Sequence, residues 1–105
     1  MRGDIHRLKA PSHPKGHEQR GERYAVIVQS DDLLTSTTLV APTSRSVRPA
    51  SYRPETRIDG TVTRIMVEQT AAVDPAARLG EWAGRLSQAE LQAVDRALAT
   101  VLGLA

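Results

Sequence analysis

Ser87-Gln88-Ala89-Glu90 constrains the fold more than any other stretch of the chain. It has the form of a capping box: the Ser hydroxyl takes the amide three residues on, and the Glu carboxylate returns to the Ser amide. Behind it Leu91, Val94, Leu98, Val101 and Leu102 recur at helical spacing, and Gly103 is suited to end the run in the left-handed conformation. The pattern predicts one C-terminal helix with a single apolar face. Such a face needs a surface to cover, and the chain before it offers mostly strands.

The strand signals come in short pieces. Tyr24 to Gln29 is an apolar run without alternation, the mark of a strand buried on both faces. Asp4 to Ala10 alternates loosely around Ile5 and Leu8. Thr37 to Ala41 reads as a third strand, ended by Pro42, which has no amide to give to a ladder. Ser30-Asp31-Asp32 reads as a turn and Leu33-Leu34 as a short helical or capped segment. Pro49 and Pro54 push Ala50 to Ile58 to the edge of a sheet. Asp59-Gly60 then suits a type I′ hairpin turn, which needs positive φ at both central positions. It leads into a strand from Val62 to Val73, closed by Pro75. Leu79 and Trp82 belong to a short helix or strand before the last helix. Several short strands followed by a helix, with no repeated unit, indicate a mainly β fold with α: a small, strongly curved antiparallel sheet or barrel with the helix packed on it. The length of 105 residues fits one domain, 1–105, and with no Phe its core must come from Val, Ile, Leu and Ala.

Several classes of chemistry drop out. The chain has no Cys, so disulfides and thiolate chemistry are excluded. His6, His13 and His17 lack the compact spacing of a zinc site, and neither metal nor cofactor is expected. No apolar run is long enough for a signal peptide or a bilayer span, so the expected location is cytoplasmic with no membrane partner. Charge is unevenly placed. The first 57 residues carry ten Lys/Arg against six Asp/Glu, and the remainder four against six. The basic half invites a polyanion. Aromatics at 3% argue against the base-stacking platforms of many single-strand binders.

No Ser/His/Asp triad, phosphate-binding glycine loop or zinc pattern is present. What remains lies around Ala10 to Glu22, a stretch long enough to read as a functional loop, and the residues that follow it. Arg23 sits where that loop feeds the second strand, and Thr43 sits where the third strand finishes. Antiparallel pairing of the two strands brings these ends together. The plain alternatives are a solvated strand-entry charge for Arg23 and a hydroxyl capping backbone for Thr43. Ser44, Arg45, Arg48 and Arg53 are candidate phosphate contacts, and Gln69 a reader of a base edge or a support for Arg23. Glu18 and Gln19 belong to the loop on which base selectivity would depend. Glu18 suits a proton acceptor or an ion pair, and His17 an acid near neutral pH.

Five blocks then occur in a recognisable order: Arg2-Gly3-Asp4-Ile5, Glu18 to Arg23 (Glu-Gln-x-Gly-x-Arg before an apolar strand), Ala41-Pro42-Thr43-Ser44, Val67-Glu68-Gln69, and Gly84-Arg85-Leu86-Ser87. Over essentially the whole chain this resembles the MazF/PemK family of toxin endoribonucleases. The resemblance implies an SH3-like barrel with a C-terminal helix, assembled as a homodimer. It implies sequence-selective, metal-independent cleavage of single-stranded RNA (mRNA, rRNA or tRNA) and inhibition by a MazE-like antitoxin. The family's catalytic arginine and threonine fall on Arg23 and Thr43. The family usually has Pro after that arginine, where this chain has Tyr24.

The chemistry agrees with these residue types. RNA supplies its own nucleophile, the 2′-hydroxyl, and leaves a 2′,3′-cyclic phosphate and a 5′-hydroxyl. The protein has only to orient it, manage protons and stabilise charge on phosphorus, a task that suits the planar, permanently charged fork of Arg. Two other classes share the expected fold: a CcdB-like poison of DNA gyrase, and a non-catalytic SH3-like RNA-binding module. Cleavage of naked RNA separates both from a nuclease.

Overall fold

The computed structural model describes residues 1–10 and 23–104. Most of the expected loop, with His13, His17, Glu18 and Gln19, lies outside the described residues. Among the described residues seven strands make one antiparallel sheet: β1 (Asp4–Leu8), β2 (Tyr24–Ile27), β3 (Thr38–Ser44), β4 (Glu55–Ile58), β5 (Thr61–Ile65), β6 (Ala71–Val73) and β7 (Leu79–Arg85). A 3-10 turn (Val67–Gln69) separates β5 from β6, a one-turn helix α1 (Pro75–Arg78) precedes β7, and α2 (Gln88–Leu102) ends the chain. The strand order is β4-β5-β3-β2-β1-β7, with β6 paired to β3 off that path. The sheet curls into a half-barrel and α2 packs on it.

The core is aliphatic, as the absence of Phe requires. Ile5, Val26, Ala41, Ile58, Ile65 and Val67 from the sheet side meet Leu86, Val94 and Ala97 from α2 and its approach. Val26, Ile65 and Val94 are fully buried. Tyr24 and Tyr52 pack against the rim of this cluster. Among the described residues no helix is long and apolar enough to cross a membrane.

The capping box forms as the sequence predicts. Glu90 N donates to Ser87 Oγ at 3.1 Å, and Ser87 N donates to Glu90 Oε1 at 2.8 Å. Gly103 ends α2 at φ 72°, with Leu104 N on Ala99 O and Gly103 N on Thr100 O. The apolar face is shorter than its spacing suggests. Val94 is buried and Leu91 and Leu98 pack on the core, but Val101 and Leu102 are exposed, Leu102 to 64%.

Three local expectations are corrected. Pro42 does not end β3, because the strand runs through it to Ser44. Successive amides of a strand point to opposite sides. Val28 N donates to Leu39 O, so Leu39 and Ala41 face β2 and Pro42 faces away. On that side β3 changes partner, from β6 at Thr38–Val40 to β5 at Thr43–Ser44. A missing donor costs nothing in the gap, and the Pro42 carbonyl accepts from Met66 N at 2.8 Å. The same gap breaks the expected Val62–Val73 strand into β5, the 3-10 turn and β6, so Gln69 is not a strand residue. Leu33 and Leu34 form no helix. Gln29 closes their loop instead, donating from Nε2 to Leu33 O and Thr35 Oγ1 and accepting from Leu39 N.

Candidate active site

The register of β2 on β3 pairs Ala25 with Pro42, Val26 with Ala41 and Ile27 with Val40. Extended by two residues, it sets Tyr24 opposite Thr43 and Arg23 opposite Ser44. The expected meeting of the two strand ends is therefore present. A cleft of about 340 Å³ opens there. Arg23 and Tyr24 form one wall, Thr43 the floor, and Ser44, Arg45 and Ser46 the rim. Ile58, Asp59, Thr61 and Thr63 of the β4–β5 hairpin form the opposite wall.

Each side chain is held by its local backbone. Arg23 is half-buried at the entry to β2, where its carbonyl accepts from Leu8 N at 2.8 Å and ties the strand end to β1. Its guanidinium makes no ion pair or hydrogen bond among the described residues. Thr43 is 5% exposed, and its Oγ1 donates to the Tyr24 carbonyl at 3.1 Å. The backbone-capping role is thus real, and it also orients the hydroxyl: with its proton committed to Tyr24, the oxygen is left to accept. Ser44 Oγ accepts from Ser46 N and Val47 N, both at 3.2 Å, and so shapes the turn that presents the exposed Arg45 at the rim.

The remaining expected residues are placed elsewhere. Arg48 and Gln69 are exposed and do not line the cleft. Arg53 is occupied: Nε and Nη2 meet Glu68 Oε2 at 2.8 and 2.6 Å, Nη1 donates to Arg48 O, and the guanidinium sits 5.3 Å from the Tyr52 ring centre. Glu18 and Gln19 lie outside the described residues. Among the described residues no group of three or more His, Asp and Glu side chains converges to hold a metal ion.

The opposite wall was not singled out from sequence. In the sequence Asp59-Gly60 signals only a turn, and its φ angles of 50° and 76° are those of a type I′ hairpin. The turn carries Asp59 over the cleft, where its Oδ2 accepts from the Tyr24 hydroxyl at 3.0 Å. Thr63, also in this wall, alternates inward by strand parity and is buried. A sequence signal for these residues existed only in that parity, and parity does not say which cavity a strand face will line.

The acidic groups with the clearest shifts stand away from the cleft. Burial alone would push the Asp4 carboxyl up, but hydrogen bonds from Arg85, the Met1 ammonium and Trp82 outweigh it and hold Asp4 below the ordinary aspartate range. Burial would likewise push the Glu90 carboxyl up, but hydrogen bonds from Ser87 and Thr56 outweigh it and hold Glu90 below the ordinary glutamate range. Asp4 binds β1 to β7, and Glu90 binds the start of α2 to β4. Among the described residues the cleft itself has two cationic side chains, Arg23 and Arg45, the carboxylate of Asp59, and hydroxyls from Tyr24, Thr43, Ser44, Ser46, Thr61 and Thr63. That is a set of donors and charges suited to a phosphodiester.

Comparison with known proteins agrees with the fold. Residues 1–102 match the family model of the PemK-like, MazF-like toxins of type II toxin–antitoxin systems. The Mycobacterium tuberculosis protein Rv3098A, described as a candidate toxin, is 36% identical over 104 residues, covering 99% of this chain and 98% of the relative. An endoribonuclease solved in complex with its cognate antitoxin, from a mycobacterial species, superposes with a TM-score of 0.78 at 18% identity, covering 100% of this chain and 96% of that one. The M. tuberculosis toxin MazF-mt6 gives a TM-score of 0.77 at 16% identity, with 97% and 98% covered. MazF from Deinococcus radiodurans gives 0.77 at 19%, with 97% and 94% covered. At these structural identities the likeness is one of fold, while the family rests on the whole-chain match and the 36% relative. This chain belongs to the PemK-like, MazF-like toxins of type II toxin–antitoxin systems.

Proposed function

We propose that the chain is an endoribonuclease toxin that cuts single-stranded RNA at the Arg23–Thr43 cleft. The observation that carries this is the pairing of an arginine free of ion pairs among the described residues with an oriented, buried threonine hydroxyl at facing strand ends. The 2′-oxygen bonds to phosphorus as the bond to the 5′-oxygen breaks. One proton leaves the nucleophile and one reaches the leaving oxygen, so a 2′,3′-cyclic phosphate and a 5′-hydroxyl result. Arg23 binds the non-bridging oxygens and stabilises the charge they gain in the transition state. Thr43 accepts a hydrogen bond from the 2′-hydroxyl and aims it in line. His17 and Glu18 are the candidates for moving the two protons.

No step in this scheme needs a metal ion. Base selectivity falls to the residues before Arg23, including Gln19, and to the Arg45 rim. The active form is a homodimer, and an acidic MazE-like antitoxin segment silences it by covering the basic cleft. Support comes from the solved neighbour that is an endoribonuclease held by its antitoxin. Wild-type protein in excess chelator should cut naked RNA, and mapping its sites across total RNA gives the recognition sequence. Arg23→Ala should lower cleavage about 100- to 1000-fold with the fold unchanged by circular dichroism. Undiminished cutting by that variant would remove Arg23 from the site.

A further inference from the structure

We propose that Tyr24 and Asp59 form a latch that fixes the width of the cleft, and that both are positioning residues for RNA. This rests on the endoribonuclease reading and adds to it the device that keeps the two walls in register. The β4–β5 hairpin is hydrogen-bonded to the site sheet through a short ladder, Thr43 with Ile65 and Ser44 with Arg64, while Ile58 and Ile65 seat it in the core. Its tip at Asp59–Gly60 lies at the far end of the hairpin, and β4 is an edge strand. Past the buried Ile58 the tip residues Asp59 to Val62 are exposed, so no core packing fixes where the Asp59 carboxylate lies over the cleft.

Tyr24 is well placed to do so. It follows Arg23 directly, its ring packs on the core cluster, and Thr43 takes its carbonyl. A ring held this way has little freedom, so its hydroxyl is a fixed post. The 3.0 Å bond from that hydroxyl to Asp59 Oδ2 crosses the cleft from the Arg23 wall to the Thr61–Thr63 wall. The positive φ at Asp59 and Gly60 fixes the turn and therefore the direction of the carboxylate. The bond has a second effect. Among the described residues Asp59 is the one acid lining a cleft meant for a polyanion, and holding one of its oxygens on Tyr24 keeps it from facing phosphate.

If the latch is absent, RNA must order the hairpin tip as it binds, and that cost falls on binding rather than on chemistry. Tyr24→Phe keeps the ring and removes the bond. It should raise KM roughly three- to tenfold, in the range of one lost hydrogen bond, with kcat within about twofold. Affinity for a 2′-O-methyl copy of a cleaved RNA should weaken equally. Amide exchange over residues 55–65 should speed up while α2 keeps its protection. Asp59→Asn retains an acceptor oxygen and tolerance of positive φ, so it should keep the hairpin protected and its KM below that of Tyr24→Phe. A merely stabilising role would lower the unfolding midpoint and leave KM alone. The latch is overturned if Tyr24→Phe leaves KM and hairpin exchange as in wild type, or if Asp59→Asn raises KM as much as Tyr24→Phe. Wild-type protein that cuts no RNA overturns the nuclease reading, and the positioning role with it. A wild type that cuts alongside an unaffected Tyr24→Phe overturns the latch alone.

Discussion

At the scale of single residues, the arginines divide by what already holds them. Arg23 and Arg45 line the cleft and make no ion pair among the described residues, whereas Arg53 is bound on three sides by Glu68, the Arg48 carbonyl and Tyr52. Their substitutions should therefore be felt in different measurements. Arg45→Ala should weaken RNA binding a few-fold and reduce the slope of log K against log salt by about 0.7, the value for one phosphate on a single strand. Filter binding across a salt series reads both. Arg53→Ala should instead lower the midpoint of a urea titration, because Glu68 is mostly shielded from water and its Oε1 has no hydrogen-bond partner among the described residues. Residue types alone could not make this division. The sequence shows an arginine, while only the packed chain shows whether a carboxylate has claimed it.

At the scale of elements, the parts with local causes follow the sequence closely. The capping box, the Gly103 stop and the Asp59-Gly60 turn each depend on a few neighbouring residues, and all three form. Ser87→Ala should cost about 1 kcal/mol by removing the acceptor for the Glu90 amide, measured as a shift in the urea midpoint with an unchanged slope. Parts with distant causes depart from it. Pro42 sits inside β3 because β3 changes partners at that point, and the Val62–Val73 run breaks for the same reason. A proline rule applied within one strand has no access to what pairs on either side. Leu102 illustrates the same limit on a helix: periodicity assigns it to the apolar face, yet in the folded chain it is left exposed.

For the whole molecule, closure depends on acids as well as on the aliphatic core. Asp4 ties β1 to β7 through Arg85, and Glu90 ties α2 to β4 and caps the helix. Both carboxyls are held lower in the folded chain than in the unfolded one. The stability they confer is therefore complete above the unfolded carboxylate values near pH 4 and is lost as the pH falls through the folded values. The thermal midpoint should be level from about pH 7 to about pH 5 and fall below about pH 4. Asp4→Asn should lower the plateau and make the acid fall shallower, as scanning calorimetry across a pH series would show.

The sequence by itself determined the class of fold, the C-terminal helix with both its ends, the hairpin turn and, through five ordered blocks, the family. These rest on periodicity, on backbone preferences within a few residues and on the order of motifs, all of which are written along the chain. The pairing of Arg23 with Thr43 was also within reach, since antiparallel neighbours must bring one strand's start to the other's end. Only the tertiary structure decided which arginines remain available, that Tyr24 reaches Asp59, and that the β4–β5 hairpin supplies the second wall of the cleft. Those outcomes depend on contacts between residues 15 to 35 positions apart, whose distances follow from sheet curvature and register rather than from any local preference.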